Sequence, residues 1–140
     1  MNNIINEKQK ITDLKELIRD LYKFINEKLN YNPSLKIILQ HDSKNAKDNF
    51  GKTAYYDSDN KKIVLYITNR HNKDICRSFA HECIHVFQDH NGKMKDKQFT
   101  AEENYFSENK YMRELEREAF EQGNMIFREW QESKKSNKSE

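Results

Sequence analysis

Asp74-Ile75-Cys76-Arg77-Ser78-Phe79-Ala80-His81-Glu82-Cys83-Ile84-His85-Val86-Phe87-Gln88-Asp89 is the stretch on which the reading of this chain turns. Its apolar residues recur at helical spacing. Ile75, Cys76, Phe79, Cys83, Val86 and Phe87 gather on one side of a wheel drawn at about 100° per residue. His81 and His85 fall on the other side, among Asp74, Arg77 and Gln88. The pattern predicts an amphipathic helix, capped by Asp74 and running to about Asp89, with its apolar side on a core and its histidines facing a cleft. Positions four apart on a helix share a face, so both imidazoles can address one cation. Neutral imidazole suits zinc. Glu82 lies about 100° round the helix from His81, within reach of a water beside that cation, from which it can take a proton. A histidine pair merely satisfied at a surface or in a core is the plainer reading, and the amphipathic placement favours the metal.

Two histidines do not complete a catalytic zinc site, which usually has three protein ligands and an open position. On a second predicted helix, Met112, Leu115, Ala119, Phe120, Gly123, Ile126, Phe127 and Trp130 form an apolar stripe. Glu116 falls inside that stripe, whereas Glu114, Glu118 and Glu121 fall on the opposite, solvated side. A carboxylate turned into a core is costly unless a cation meets it, either a metal or a buried Arg or Lys.

Together, His81-Glu82-x-x-His85 and, 31 residues after His85, Glu116-x-x-Ala119 on a second helix resemble the gluzincin metallopeptidases. The short single domain is similar to the minigluzincins, the smallest members. The resemblance covers roughly Ala54 to Phe127. It implies an α+β minimal zincin fold: an N-terminal helix, a small twisted sheet with a hairpin, an active-site helix and a C-terminal glutamate helix. It implies zinc held by His81, His85 and Glu116, and peptide hydrolysis through a metal-activated water with Glu82 as general base. The implied partner is a peptide or protein substrate added along an edge strand, which by position would be Ile63–Thr68; a fully paired inner strand is the alternative. Many gluzincins carry Asp four residues after the ligand glutamate, as partner of a zinc-binding histidine, and this chain has Phe120 there. A backbone carbonyl or a loop carboxylate is expected to take that role. Tyr105 and Tyr111 are candidates to stabilise the oxyanion, against plainer core or surface roles. Some minigluzincins are latent, and here the Lys93–Asn109 segment or the residues after Gln131 would fill the cleft. The rival reading is a non-catalytic zinc-binding module for a protein partner, although a structural site normally has four protein ligands and no use for Glu82 as a base.

With 140 residues the chain has room for one domain, expected over residues 1–132, with 133–140 as a frayed polar tail. Charged residues make up 34% and hydrophobic ones 35%, so a modest core sits under a heavily charged surface. A net charge of +2 makes no case for nucleic acid, and the basic clusters at Lys93–Lys97 and Lys134–Lys138 read as solvated. No apolar run is long enough for a membrane span, and the first residues lack the features of a secretory signal, so a cytoplasmic protein is expected. Cys76 and Cys83, the only cysteines, lie seven apart on the apolar side of the motif helix, too far to bridge, and read as buried thiols.

Outward from the motif, Ile11, Leu14, Leu17, Ile18, Leu21, Tyr22, Ile25 and Leu29 predict a helix over about 8–30, ended near Pro33. Leu35–Gln40 reads as a mostly buried strand. Thr53–Tyr56 and Lys62–Thr68 flank the turn signal Asp57-Ser58-Asp59-Asn60 and read as a hairpin. His41 and His71 lie in connections, with exposed or capping roles, and His90 projects to the apolar side of the motif helix. Gly92 should stop that helix. Thr100-x-x-Glu103 is a capping-box pattern, so a short helix through Phe106 is expected, followed by a final helix over about Lys110–Gln131.

Overall fold

In the computed structural model, residues 2–42, 53–93 and 105–138 are described. Among them the fold is α+β, three helices with a small mixed sheet: α1 (Asn2–Leu29), β1 (Lys36–Gln40), β2 (Ala54–Asp57), β3 (Lys62–Tyr66), α2 (Asn72–His90) and α3 (Tyr105–Lys138).

α1 is long because one apolar row holds it to the core. Leu14, Ile18, Leu21 and Ile25 are all buried. It begins earlier than predicted, at Asn2, through a mostly polar stretch in which Ile4 and Ile5 are the apolar residues. At its end Asn30 takes a left-handed φ of 52°, and the Tyr31 N–H turns back to the Asn26 carbonyl at 3.1 Å. The Tyr22 hydroxyl donates to the Pro33 carbonyl at 2.9 Å and pins the exit.

The strand order is β1-β3-β2, with β1 parallel and β2 antiparallel to β3. Ile63–Thr68, expected at the edge, is corrected by this order. β3 is the middle strand, its ladder occupied on both sides, and the Ile67 N–H goes to the Gln40 carbonyl at 3.0 Å. The physical reason lies in the unbroken Ile63-Val64-Leu65 run, all buried, which suits a strand covered on both faces. β1 is an outer strand with exposed ends and half-buried middle residues, not a mostly buried one. The hairpin forms where the turn signal lies. Asp57 Oδ1 accepts from the Asp59 and Asn60 N–H groups at 3.1 and 3.2 Å, and Lys61 takes a φ of 51°.

α2 starts one turn earlier than expected. His71 is the N-cap, with no side-chain cap bond, and Asp74 sits in the first turn, where its charge still meets the positive helix end. Gly92 stops α2 as predicted. At its φ of 78° the Gly92 N–H reaches Asp89 O at 3.0 Å and the Lys93 N–H reaches Gln88 O at 2.9 Å.

α3 is longer than expected at both ends. The Thr100–Glu103 cap lies outside the described residues, and the tail expected from Ser133 is helical through Lys138. Contacts to α1 explain the extension. Trp130 Nε1 and Lys134 Nζ both donate to Asp20 Oδ2, at 2.9 and 2.8 Å, and Lys134 lies 5.0 Å over the Trp130 ring. Lys134, in the segment after Gln131, thus meets α1. A single core joins α1, β3, α2 and α3. Cys76 and Cys83 are buried free thiols within it. No helix among the described residues is long and apolar enough to cross a membrane.

Candidate metal centre

α2 packs its apolar side, including Ile75, Phe79, Ala80 and Ile84, into the core, which turns His81 and His85 toward α3. The two helices meet closely at Gly123. A Cβ there would lie 3.0 Å from His81 Cα and 3.1 Å from His81 N, a tighter approach than most Cβ atoms make, so glycine suits this crossing. Glu116 precedes Gly123 by seven residues, about two turns, and so leaves α3 on the same face.

His81 Nε2 stands 3.2 Å from Glu116 Oε2, and His85 Nε2 stands 2.8 Å from Glu116 Oε1. Ligand atoms of the three residues all lie within 4.8 Å of one another. Tetrahedral zinc with bonds of about 2.0 Å needs neighbouring donors about 3.3 Å apart. The three residues brought together can hold a metal ion. Among the described residues, the ion pairs of Glu116 are with His81 and His85, not with arginine or lysine.

Glu116 is not in the core, which corrects the reason for which it was singled out. Its side chain is 58% exposed. The apolar stripe of α3 divides: Leu115, Ala119, Ile126, Phe127 and Trp130 are buried, while Met112 and Phe120 are 47% and 63% exposed. Met112, Glu116, Phe120 and Asn124, four apart, form one wall of a cleft of about 660 Å³. Thr53, Ala54, Tyr55 and Tyr56 form the facing wall, with Arg77, Ser78, His81, Glu82 and His85 as the floor.

Glu82 is only 9% exposed and lies at the base of this cleft. The backbone N–H of Tyr56 donates to its carboxylate. Burial, reinforced by the Glu116 charge and opposed by His85 and the Tyr56 bond, pushes the Glu82 carboxyl up to about 7. Burial and then the neighbouring His85 push His81 down, against Glu116. Both effects favour a neutral His81, the form a metal needs.

The partner of His85 is neither a backbone carbonyl nor a loop carboxylate. It is Gln88, one turn along α2, whose Oε1 lies 2.8 Å from His85 Nδ1. Gln88 Nε2 donates to Leu115 O at 2.9 Å and to Glu118 Oε1 at 3.0 Å. With two acceptors before its nitrogen, the amide must turn its oxygen to His85, so His85 Nδ1 carries the proton. His85 Nε2 faces a Glu116 carboxylate oxygen at 2.8 Å. Two acceptors at that distance repel unless a proton or a cation joins them. Two imidazole nitrogens and a carboxylate at these separations form a donor set that suits a metal cation.

The remaining candidates stand apart. The Tyr111 hydroxyl donates to the Lys93 carbonyl and the residue does not line the cleft. Tyr105 opens α3, and its side chain lies outside the described residues. His90 stacks on Tyr31 with centroids 3.8 Å apart. His41 meets Thr68, and His71 caps α2. Cys83 faces the core, and burial raises its thiol well above the ordinary range. Gln88 and the β2 wall were not singled out from the sequence. The signal for Gln88 was its place three residues after His85, on the histidine side; β2 gave none, because a strand's partners are not written in it. No family model, no curated protein and no solved structure matches this chain.

Proposed function

We propose that this chain is a zinc-dependent endopeptidase with a minimal zincin fold of the gluzincin kind. One observation carries the reading: His81, His85 and Glu116 converge beside the buried carboxyl of Glu82, at the floor of an open cleft. Three protein donors leave a coordination position open, as catalytic zinc sites do. Zinc held there would supply a Lewis acid that acidifies water and polarises a peptide carbonyl.

The chain's own residues do the rest. Glu82 accepts the water's proton and returns it to the leaving amine. The Tyr56 N–H keeps that carboxylate aimed into the cleft. Substrate positioning falls to β2, not β3. Tyr66 N–H donates to Thr53 O at 3.1 Å, and alternation along an antiparallel pair turns Tyr55 and Asp57 to β3 as well. Ala54 and Tyr56 therefore aim their backbone groups outward, on the side of Glu82. An extended peptide added there would use the Ala54 N–H and C=O and the Tyr56 C=O. Met112 and Phe120, exposed on the opposite wall, favour apolar side chains in that peptide.

The test is metal analysis joined to digestion of a peptide library, on the parent and on Glu82→Gln. The parent should hold one zinc and cut; the variant should hold one zinc and not cut. Equal cleavage by both forms would refute Glu82 as the base. Zinc held by both forms without any cleavage would make the chain a zinc-binding interaction module.

A further inference from the structure

We infer that Gln88, anchored by Glu118, is the positioning residue that commits His85 to bind metal through Nε2. The inference rests on the metal reading above. Gln88 is completely buried, three residues after His85. A buried amide is costly unless each polar group finds a partner. Here each does: Leu115 O and Glu118 Oε1 take its two N–H donors, and His85 Nδ1–H meets its oxygen. Flipping the amide would set its oxygen against the Leu115 carbonyl and the Glu118 carboxylate at once, so one orientation survives. That orientation keeps the proton on Nδ1 and stops the ring from rotating.

Glu118 is fixed in turn. Lys93, in the turn that ends α2, bonds both its oxygens at 3.2 Å. Glu118 stands two residues from Glu116 on α3, so the network that sets the His85 tautomer also ties the end of α2 to the helix carrying the third donor. Phe120 is 63% exposed and takes no part. His85 finds its partner on its own helix.

The experiment compares the parent, Gln88→Met and Glu118→Ala. Nitrogen NMR of the imidazoles, on metal-free protein at about pH 8 where histidine is neutral, reads the tautomer. Competition with a chromogenic chelator reads zinc affinity, and circular dichroism reads folding. The parent should show His85 protonated at Nδ1 alone. Gln88→Met should show mixed tautomers and bind zinc about 10- to 100-fold more weakly. Glu118→Ala removes a half-exposed anchor, should fold even where Gln88→Met does not, and should weaken zinc severalfold. An unchanged tautomer and unchanged affinity in the folded variants would overturn the inference. A parent with Nδ1 protonated but no affinity for zinc would instead sink the metal reading, and with it this role for Gln88.

Discussion

In the metal-free protein Glu82 should be a burden on folding, and Glu82→Gln should lift it. The unfolded chain ionises this carboxyl near the ordinary 4.5, whereas the folded protein holds its proton until about 7. Between those values the folded state binds more protons than the unfolded one, so stability falls as pH rises across the window. At about 1.36 kcal/mol per pH unit, the difference grows from nothing below 4.5 to an upper limit of about 3 kcal/mol above 7. Glutamine cannot ionise, and its oxygen can still accept the Tyr56 N–H. The assay is urea unfolding of chelator-treated parent and Glu82→Gln from about pH 5 to 8. Groups that titrate in both proteins largely cancel, so the quantity of interest is the change in their stability difference with pH. That difference should move in favour of the variant by up to about 3 kcal/mol, and zinc should shrink it, because a dication stabilises the carboxylate. Parallel curves in the metal-free proteins would refute the buried, proton-holding Glu82.

Three further outcomes follow from the geometry. Glu116→Gln should weaken zinc by more than the 10- to 100-fold lost with an outer partner; because that side chain is 58% exposed, urea stability of the metal-free protein should shift by no more than about 0.5 kcal/mol. Gly123→Ala sets two effects against each other, a gain of up to about 1 kcal/mol in helix propensity and an overpacking cost of about 1–3 kcal/mol where the new Cβ meets His81 backbone at 3.0 Å. The clash should win, lowering stability and zinc affinity together; a stabilised variant with full affinity would refute the close approach. Trp130→Phe should cost about 1 kcal/mol in unfolding by losing the 2.9 Å bond to Asp20, and a neutral result would remove the anchor assigned to the end of α3.

What was legible in the sequence follows what local periodicity encodes. The α2 wheel separated Cys83 and Phe79 from His81 and His85, and the core lies where it put them. The Asp57–Asn60 turn and the Gly92 stop were equally legible, because each depends on neighbours within a few residues. Strand order was not, since Ile63–Leu65 can be judged inner or outer only with β1 and β2 beside them, although the unbroken apolar run was a hint. The extension of α3 past Gln131 escaped notice because its cause, Asp20, lies 110 residues from Trp130.

Glu116 shows how a residue of the candidate site can be reached by an incomplete physical argument. The periodicity placed it correctly between Met112 and Phe120, and the inference that followed treated the whole stripe as core. In the fold only the Leu115, Ala119, Ile126 and Trp130 side of the stripe is covered, and the Met112, Glu116, Phe120 row overlooks open space. Relief of a buried charge therefore cannot be what draws a cation to this carboxylate. The stronger ground is the convergence of three donors, with His81 Nε2 and His85 Nε2 at 3.2 and 2.8 Å from the Glu116 carboxylate and His85 held by Gln88. An enclosed, purely structural ion would call for a fourth protein donor and a covered carboxylate. An exposed third donor beside a buried acid is the arrangement expected where an ion must share its last position with solvent and substrate, and on that difference the peptidase proposal stands against the rival of an inert zinc module.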